Sequence, residues 1–147
     1  MTDHRWLPMA SLLVLMTAAG ANGQASVPTP AEASAFMGAW VVEMTEPPEF
    51  KSTQTLRIWN KDGALAASVQ GGKAPANEVA GIIKDRNMLV LTLSNEAQRP
   101  FLENGAPIWV VMAVTLDGDT IKVAQMFEKS RTIKRGTGAK MPPGLTP

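Results

Sequence analysis

The stretch Phe36-Met37-Gly38-Ala39-Trp40-Val41-Val42-Glu43-Met44 decides the fold, because it holds the only Gly-x-Trp of the chain at the start of its first predicted strand. Gly38 has no side chain, so the chain can bend there or another backbone can approach closely. Trp40 brings a large apolar surface and one N–H that needs a partner when it is buried. Such a Trp either plugs one end of a barrel or is an ordinary core residue, and the spacing leaves both interpretations open.

Alternation of apolar and polar residues recurs along the chain behind this stretch and predicts about eight short strands. The most apolar of them runs from residue 107 to 116, with Ile108 at the start of its apolar face. The residues predicted to face the interior of the fold are Leu56, Ile58, Val110, Met112 and Val114.

Tight turns separate the predicted strands. Asp62-Gly63 and Asp117-Gly118 supply the left-handed backbone conformations that short hairpins need. No segment has the spacing of a helix that crosses between parallel strands, so the strands are expected to pair in antiparallel meander order. Closure removes the exposed edges of a meander. The predicted fold is therefore all-β, a small antiparallel up-and-down barrel of about eight strands.

The N-terminal residues predict secretion. Arg5 precedes an apolar run over residues 7–19, and small residues follow up to Ala25, which is the layout of a secretory signal peptide. The run is shorter than the roughly 20 residues of a membrane span, and an uncleaved amphipathic anchor is the alternative. We expect a secreted protein, most simply of a bacterial periplasm. The predicted organisation is a signal peptide at 1–25, a flexible lead-in at 26–35, the barrel at 36–135 and a flexible tail at 136–147.

Composition excludes several kinds of chemistry. The chain of 147 residues has no Cys, its one His is His4, and its net charge is +1. Without a His in the predicted mature chain there is no Ser-His-Asp hydrolase and no common zinc site. The small net charge gives no reason to expect a nucleic-acid partner. We expect neither an enzyme nor a bound cofactor.

Two groups of acidic residues are candidate sites. Asp117 and Asp119 flank a Gly but lack the other ligands of a calcium loop, and the hairpin turn explains them. Glu43, Glu46 and Glu49 have two prolines among them that leave no fixed geometry, so a solvated loop is the simpler interpretation.

The motif Phe36-Met37-Gly38-Ala39-Trp40 after a secretion signal, with a string of hairpins behind it, resembles the lipocalin and calycin group of small barrels. Members of that group commonly place an Arg of the last strand over this Trp. The resemblance therefore implies that Gly38 and Trp40 form a structural anchor with Arg131 or Arg135. The chain departs from the group in being shorter than most lipocalins and in having neither a disulfide nor a Tyr.

The leading functional hypothesis is the binding of a small apolar or amphipathic molecule in the barrel, by a protein expected to be a monomer. The interior residues Val110, Met112, Val114, Leu56 and Ile58 would line the site or would simply fill the barrel. A protein-binding module, such as a periplasmic protease inhibitor, and a structural envelope protein without a pocket are the alternatives. The basic C-terminal segment would either dock an anionic surface, partner or head group, or be a solvated strand end.

Overall fold

A computed structural model of the protein describes residues 25–94 and 109–144. These residues form strands with two short 3₁₀ helices, Ser34–Phe36 and Pro48–Phe50. The strands are β1 (Gly38–Glu46), β2 (Ser52–Lys61), β3 (Ala64–Gly71), β4 (Asn77–Asp85), β5 (Met88–Ser94), β6 (Trp109–Asp117), β7 (Thr120–Phe127) and β8 (Ile133–Lys140). Among these elements there is no helix long and apolar enough to cross a lipid bilayer.

The eight strands pair in chain order and close into a barrel, with β8 antiparallel to β1. This confirms the predicted all-β, up-and-down architecture. The end of the barrel that carries Trp40 holds the short hairpins of residues 61–64, 85–88 and 117–120. The opposite end, called here the Phe127 end, is where β1 finishes and β6 begins.

Turn chemistry explains the hairpins. Asp62 and Gly63 have φ of 54° and 87°, and Gly118 has φ of 63°, which are the left-handed conformations that the sequence predicted. The hairpin between β4 and β5 uses Arg86, whose φ is 55°. Each turn sets the register of its two strands, so the apolar face of every strand is turned toward the same interior.

Side-chain alternation builds one core inside the barrel. On β6, Val110, Met112 and Val114 are buried while Trp109 and Asp117 are exposed. The predicted interior position Ile108 lies outside the described residues. The residues buried most completely include Phe36, Met44, Leu56, Ile58, Leu89, Leu91, Met112 and Ile121.

The last strand runs further than the sequence suggested, because β8 continues through Gly136 and Gly138 to Lys140. The predicted boundary at residue 135 and the flexible tail at 136–147 are therefore corrected for residues 136–140. A Cβ at Gly138 would come within 2.6 Å of Ile121 Cγ1, and one at Gly136 would meet the carbonyl of Glu43. Glycines that usually weaken a strand are needed here because neighbouring chain packs directly on them.

The lead-in at 26–35 also differs from the flexible segment predicted. Ser26 forms an antiparallel bridge with Lys84 of β4, with N–H to carbonyl distances of 3.1 and 2.8 Å. Pro28 is buried and Ala33 is fully buried. Proline restricts the local conformation but does not prevent burial of its own ring. The lead-in thus pairs with the edge of β4 at Ser26 and contributes Ala33 to the apolar core.

Candidate functional site

The barrel interior is filled by side chains at the level of the predicted ligand-lining residues. Val110, Met112, Val114, Leu56 and Ile58 are each exposed by 2% or less and belong to one apolar cluster. Val110 alone among them also borders a small cavity at the Phe127 end. Space for a ligand therefore has to be sought where the barrel wall or its ends open.

Trp40 closes one end of the barrel. Its ring is 2% exposed, and its Nε1–H donates to the carbonyl of Phe36 at 2.8 Å. Gly38 takes a φ of 117°, and a Cβ there would lie 2.9 Å from Cε of Lys140. Gly38 is thus needed both for its backbone conformation and for the passage of the Lys140 side chain.

The cation over Trp40 is Lys140, whose Nζ lies 5.4 Å from the ring centroid. The expectation of Arg131 or Arg135 in this place is wrong, because β8 extends beyond them and pairs Lys140 with Trp40. Arg135 pairs instead with Glu46 near the Phe127 end of β1. Arg131 lies in the turn between β7 and β8, where its N–H donates to the carbonyl of Phe127.

The barrel wall opens between β3 and β4. Within the described strands these two are joined at Ser68–Glu78 and Val69–Asn77, whereas β2 and β3 are joined at eight residue pairs. Toward the Trp40 end, residues 64–67 of β3 and 79–82 of β4 separate. Four residues of strand extend about 13 Å. We call the resulting opening the lateral cleft.

The lateral cleft has a volume of about 580 Å³. Its walls are residues 63–67 and 78–82, with Trp59, Lys61 and residues 27–29 of the lead-in. Ala67 and Ile82 belong to the core, so the cleft reaches the apolar interior through the wall. Side chains on both strands are small where they border the opening, which leaves room for a bound group.

The lead-in is held beside the cleft by a reciprocal pair of hydrogen bonds. The amide and hydroxyl of Thr29 donate to Glu32 Oε2 at 2.8 and 3.1 Å, and the Glu32 amide lies 3.3 Å from Thr29 Oγ1. This is the geometry of a capping box. The backbone hydrogen bond from Thr29, with that from its hydroxyl, holds the pKa of Glu32 below its ordinary value. The turn fixes Pro28 against the cleft wall.

A much smaller cavity, of about 150 Å³, lies at the Phe127 end. Gln54 Nε2 donates to Gln125 Oε1 across it at 3.1 Å, and Gln125 is 6% exposed. Gln54 Oε1 is buried and has no hydrogen-bond partner in the described part of the chain. Volume and polar lining suit a few ordered water molecules. An apolar ligand would leave these amide groups unpaired and is disfavoured here.

Sequence reasoning missed the lateral cleft and the role of Lys140. The cleft could have been suspected from the small side chains of two consecutive strands, which leave space in the wall. These residues are Ala64, Ala66, Ala67, Ala80 and Gly81. Lys140 could have been found from strand alternation. If β8 is continued to residue 140, Lys140 lies on the same inward face as Gly136 and Gly138.

Comparisons of this chain with models of known protein families, with curated proteins and with solved structures found no significant match. The eight-stranded closed antiparallel barrel is consistent with the lipocalin-like architecture that the Gly-x-Trp motif suggested. The likeness to lipocalins therefore rests on the strand arrangement and on the Gly38–Trp40 anchor.

Proposed function

We propose that this protein binds a small apolar or amphipathic molecule, and that the apolar part of the molecule lies in the lateral cleft. The observation that carries the proposal is the separation of β3 from β4 over residues that border the core. The volume of about 580 Å³ falls in the range of roughly 300–1,000 Å³ typical of small-molecule sites.

The chemistry of the cleft favours a molecule with one apolar chain and an anionic head group. Leu65, Val79 and Ile82 offer apolar side chains along the walls. Lys61 stands at the end of the cleft next to the β2–β3 hairpin, and Glu78 stands at the other end. An acidic head group beside Lys61 would keep its charge in water while the chain replaces water on the walls.

A second candidate function is the binding of an extended peptide. The separated edges of β3 and β4 leave backbone groups that an added strand can pair with, which is how many modules recognise peptides. Ser26 already pairs with Lys84 in this antiparallel manner. This observation favours a protein-binding module as the alternative, with a partner segment pairing where the lead-in lies.

We further propose that residues 1–25 are a secretory signal peptide. A protein that carries an amphipathic molecule in an envelope compartment needs an apolar site accessible from the side or the end of its fold. The lateral cleft meets that requirement, because it opens through the side of the barrel, where residues 27–29 of the lead-in border it.

The experiment is a titration with a fluorescent fatty-acid analogue, together with native mass spectrometry of protein recovered from its own host. Ala80 borders the cleft and is exposed, so Ala80→Trp should fill the cleft and weaken binding by at least about tenfold, or about 1.4 kcal/mol. Ala139 is an exposed outward residue on β8 away from the cleft, so Ala139→Trp is the matched control.

A lipid-sized mass retained by the native protein, and lost in Ala80→Trp, would support the carrier function. Equal binding by both variants would overturn the placement in the lateral cleft. Absence of any binding by the wild-type chain, with a synthetic extended peptide shifting the amide resonances of β3 and β4, would favour the protein-binding alternative.

A further inference from the structure

Exposed apolar side chains gather on the outer wall of the barrel at the Phe127 end. Trp109, Met126 and Ile133 are each 41–42% exposed. Met126 lies directly opposite Ile133 in the β7–β8 pairing and opposite Val111 in the β6–β7 pairing. The three neighbouring strands therefore share one continuous apolar surface, which is uncommon on the outside of a solvated barrel.

Positive charge borders this apolar surface. The turn between β7 and β8 presents Lys129 and Arg131, both exposed, with one exposed acid, Glu128. Lys134 is directed to the same end of the barrel, with Nζ 5.1 Å from the Phe50 centroid and 5.0 Å from the Phe127 centroid. We call Trp109, Met126, Ile133, Lys129 and Arg131 together the rim patch.

The turn that carries these charges has a defined conformation. Arg131 has φ of 53°, and its N–H donates to the carbonyl of Phe127 at 2.8 Å. The Glu128 amide donates to the carbonyl of Trp109 at 3.0 Å, which ties the start of β6 to the same turn. These backbone hydrogen bonds hold the turn with its cations next to the start of β6, which carries the Trp109 side chain.

We propose that the rim patch docks the barrel on the surface of an anionic phospholipid bilayer. An indole is suited to the boundary between head groups and acyl chains because it has an apolar body and one polar N–H. Met126 and Ile133 add apolar area, and the cations add attraction to anionic head groups, the two contributions that set interfacial binding. A protein partner would need an apolar centre with an acidic border to fit the same patch, and vesicle binding that depends on anionic lipid distinguishes the bilayer from it.

This inference goes beyond the binding of a small molecule and stands on different residues. A barrel held at a membrane by its Phe127 end would keep the lateral cleft, which opens toward the Trp40 end, free of the bilayer. Titration of a soluble fatty-acid analogue without vesicles tests the cleft alone, and vesicle binding tests the rim patch alone. Failure of either can therefore be told from failure of the other.

The test is co-sedimentation of the chain, in the form recovered from the expressing cell, with vesicles. One set contains equimolar phosphatidylglycerol and phosphatidylcholine, and the other contains phosphatidylcholine only. The double variant Lys129→Gln, Arg131→Asn should reduce partitioning into the anionic vesicles by about twenty-five-fold, at about fivefold for each cation removed. Asn is chosen because it tolerates a positive φ.

The matched control is the double variant Lys122→Gln, Arg86→Asn at the Trp40 end. Arg86 has the same left-handed backbone conformation, with φ of 55°, and Lys122 is an exposed residue of β7. This variant should bind anionic vesicles as the wild type does. Equal loss in both double variants, or equal binding of the wild type to the two kinds of vesicle, would overturn the docking surface.

The apolar half of the patch is tested separately. Ile133→Ser should weaken vesicle binding, whereas Ile83→Ser should not, since Ile83 is equally exposed at 42% but lies on β4. Brominated lipids should quench the fluorescence of the wild type and of Trp59→Phe but not that of Trp109→Phe. Quenching that persists in Trp109→Phe would show that another part of the chain enters the bilayer.

Discussion

Lys140 lies over the ring of Trp40, with Nζ 5.4 Å from the ring centroid, and so joins the first strand to the last. The two residues are also paired in the β1–β8 register. Gly38 lies beside them, where any side chain would meet Cε of Lys140. Trp40, Lys140 and Gly38 therefore lie together at this end of the barrel, where β1 meets β8.

The anchor predicts an order of stabilities. Trp40→Ala should cost about 3–5 kcal/mol, as expected for a large side chain removed from a buried site. Lys140→Ala should cost about 0.5–1 kcal/mol, the range for an exposed cation over an aromatic ring. Urea unfolding followed by circular dichroism measures both, with Lys61→Ala as the exposed control. A cost for Lys140→Ala no larger than that of Lys61→Ala would contradict the stacking.

Gly38→Ala separates backbone strain from steric displacement. A non-glycine residue at a strongly positive φ costs about 1–3 kcal/mol. Gly63 also has a positive φ, but a Cβ there would meet nothing within 4 Å. Gly38→Ala should therefore destabilise the fold more than Gly63→Ala, and the difference should shrink when Lys140 is replaced by Ala. A difference that is unchanged by Lys140→Ala would refute the steric explanation.

Gly138→Ala should destabilise the barrel by about 1–3 kcal/mol, because overpacking forces neighbours away from their preferred positions. The added methyl would press on Ile121 and Val42. Gly71→Ala is the matched control, since Gly71 lies in a strand, has no positive φ and has open space at its Cβ position. Thermal unfolding of the two variants makes the comparison, and similar melting temperatures would show that β8 can move away from Ile121.

Val110→Asp should unfold the protein, because an unpaired carboxylate in the core costs about as much as the whole stability of a small domain. Lys122→Asp should be tolerated, because Lys122 is exposed on β7 and its ion pair with Asp117 at 3.2 Å lies at the surface. Soluble expression and far-UV circular dichroism report the outcome. Tolerance of Asp at residue 110 would mean that the interior face of β6 is assigned wrongly.

Protonation of Glu32 should loosen the lead-in. The pKa of Glu32 is lower in the folded protein, so its contribution is present above the ordinary pKa of a Glu and is lost as the pH falls through the folded-state pKa. An NMR titration should give Glu32 a lower pKa in the wild type than in Thr29→Val. That variant removes the hydroxyl hydrogen bond and keeps the amide one. Identical pKa values would show that the hydroxyl contributes nothing.

Much of the architecture could be predicted because it is encoded locally. Asp62-Gly63 and Asp117-Gly118 need only their own backbone preferences to make hairpins. The alternation around Met112 needs only one buried face and one exposed face. Turn preferences and alternation do not depend on contacts with distant segments, so they can be read from a single sequence.

The features that could not be predicted depend on contacts between distant segments. The sequence predicts a fraying tail at Gly136 and Gly138, because glycine is a poor strand former. These two positions are glycine because β1 and Ile121 approach them closely. The separation of β3 from β4 depends on where their register stops, at Ser68–Glu78. The residues of the 72–76 loop have no conformational preference that indicates where the β3–β4 pairing ends.

Because β3 and β4 pair at only two residue pairs within the described strands, the barrel can also be described as an open sheet whose edge strands are β3 and β4. Followed through its well-paired neighbours, the sheet runs β4-β5-β6-β7-β8-β1-β2-β3. The first and last strands are therefore an inner pair, and the loop at 72–76 joins the two edge strands. The Met141 N–H donates to the Ala39 carbonyl at 2.8 Å, which brings the two terminal segments side by side. A circular permutant that links these segments and begins after the 72–76 loop would therefore be a plain meander, with the lateral cleft lying between its own first and last strands.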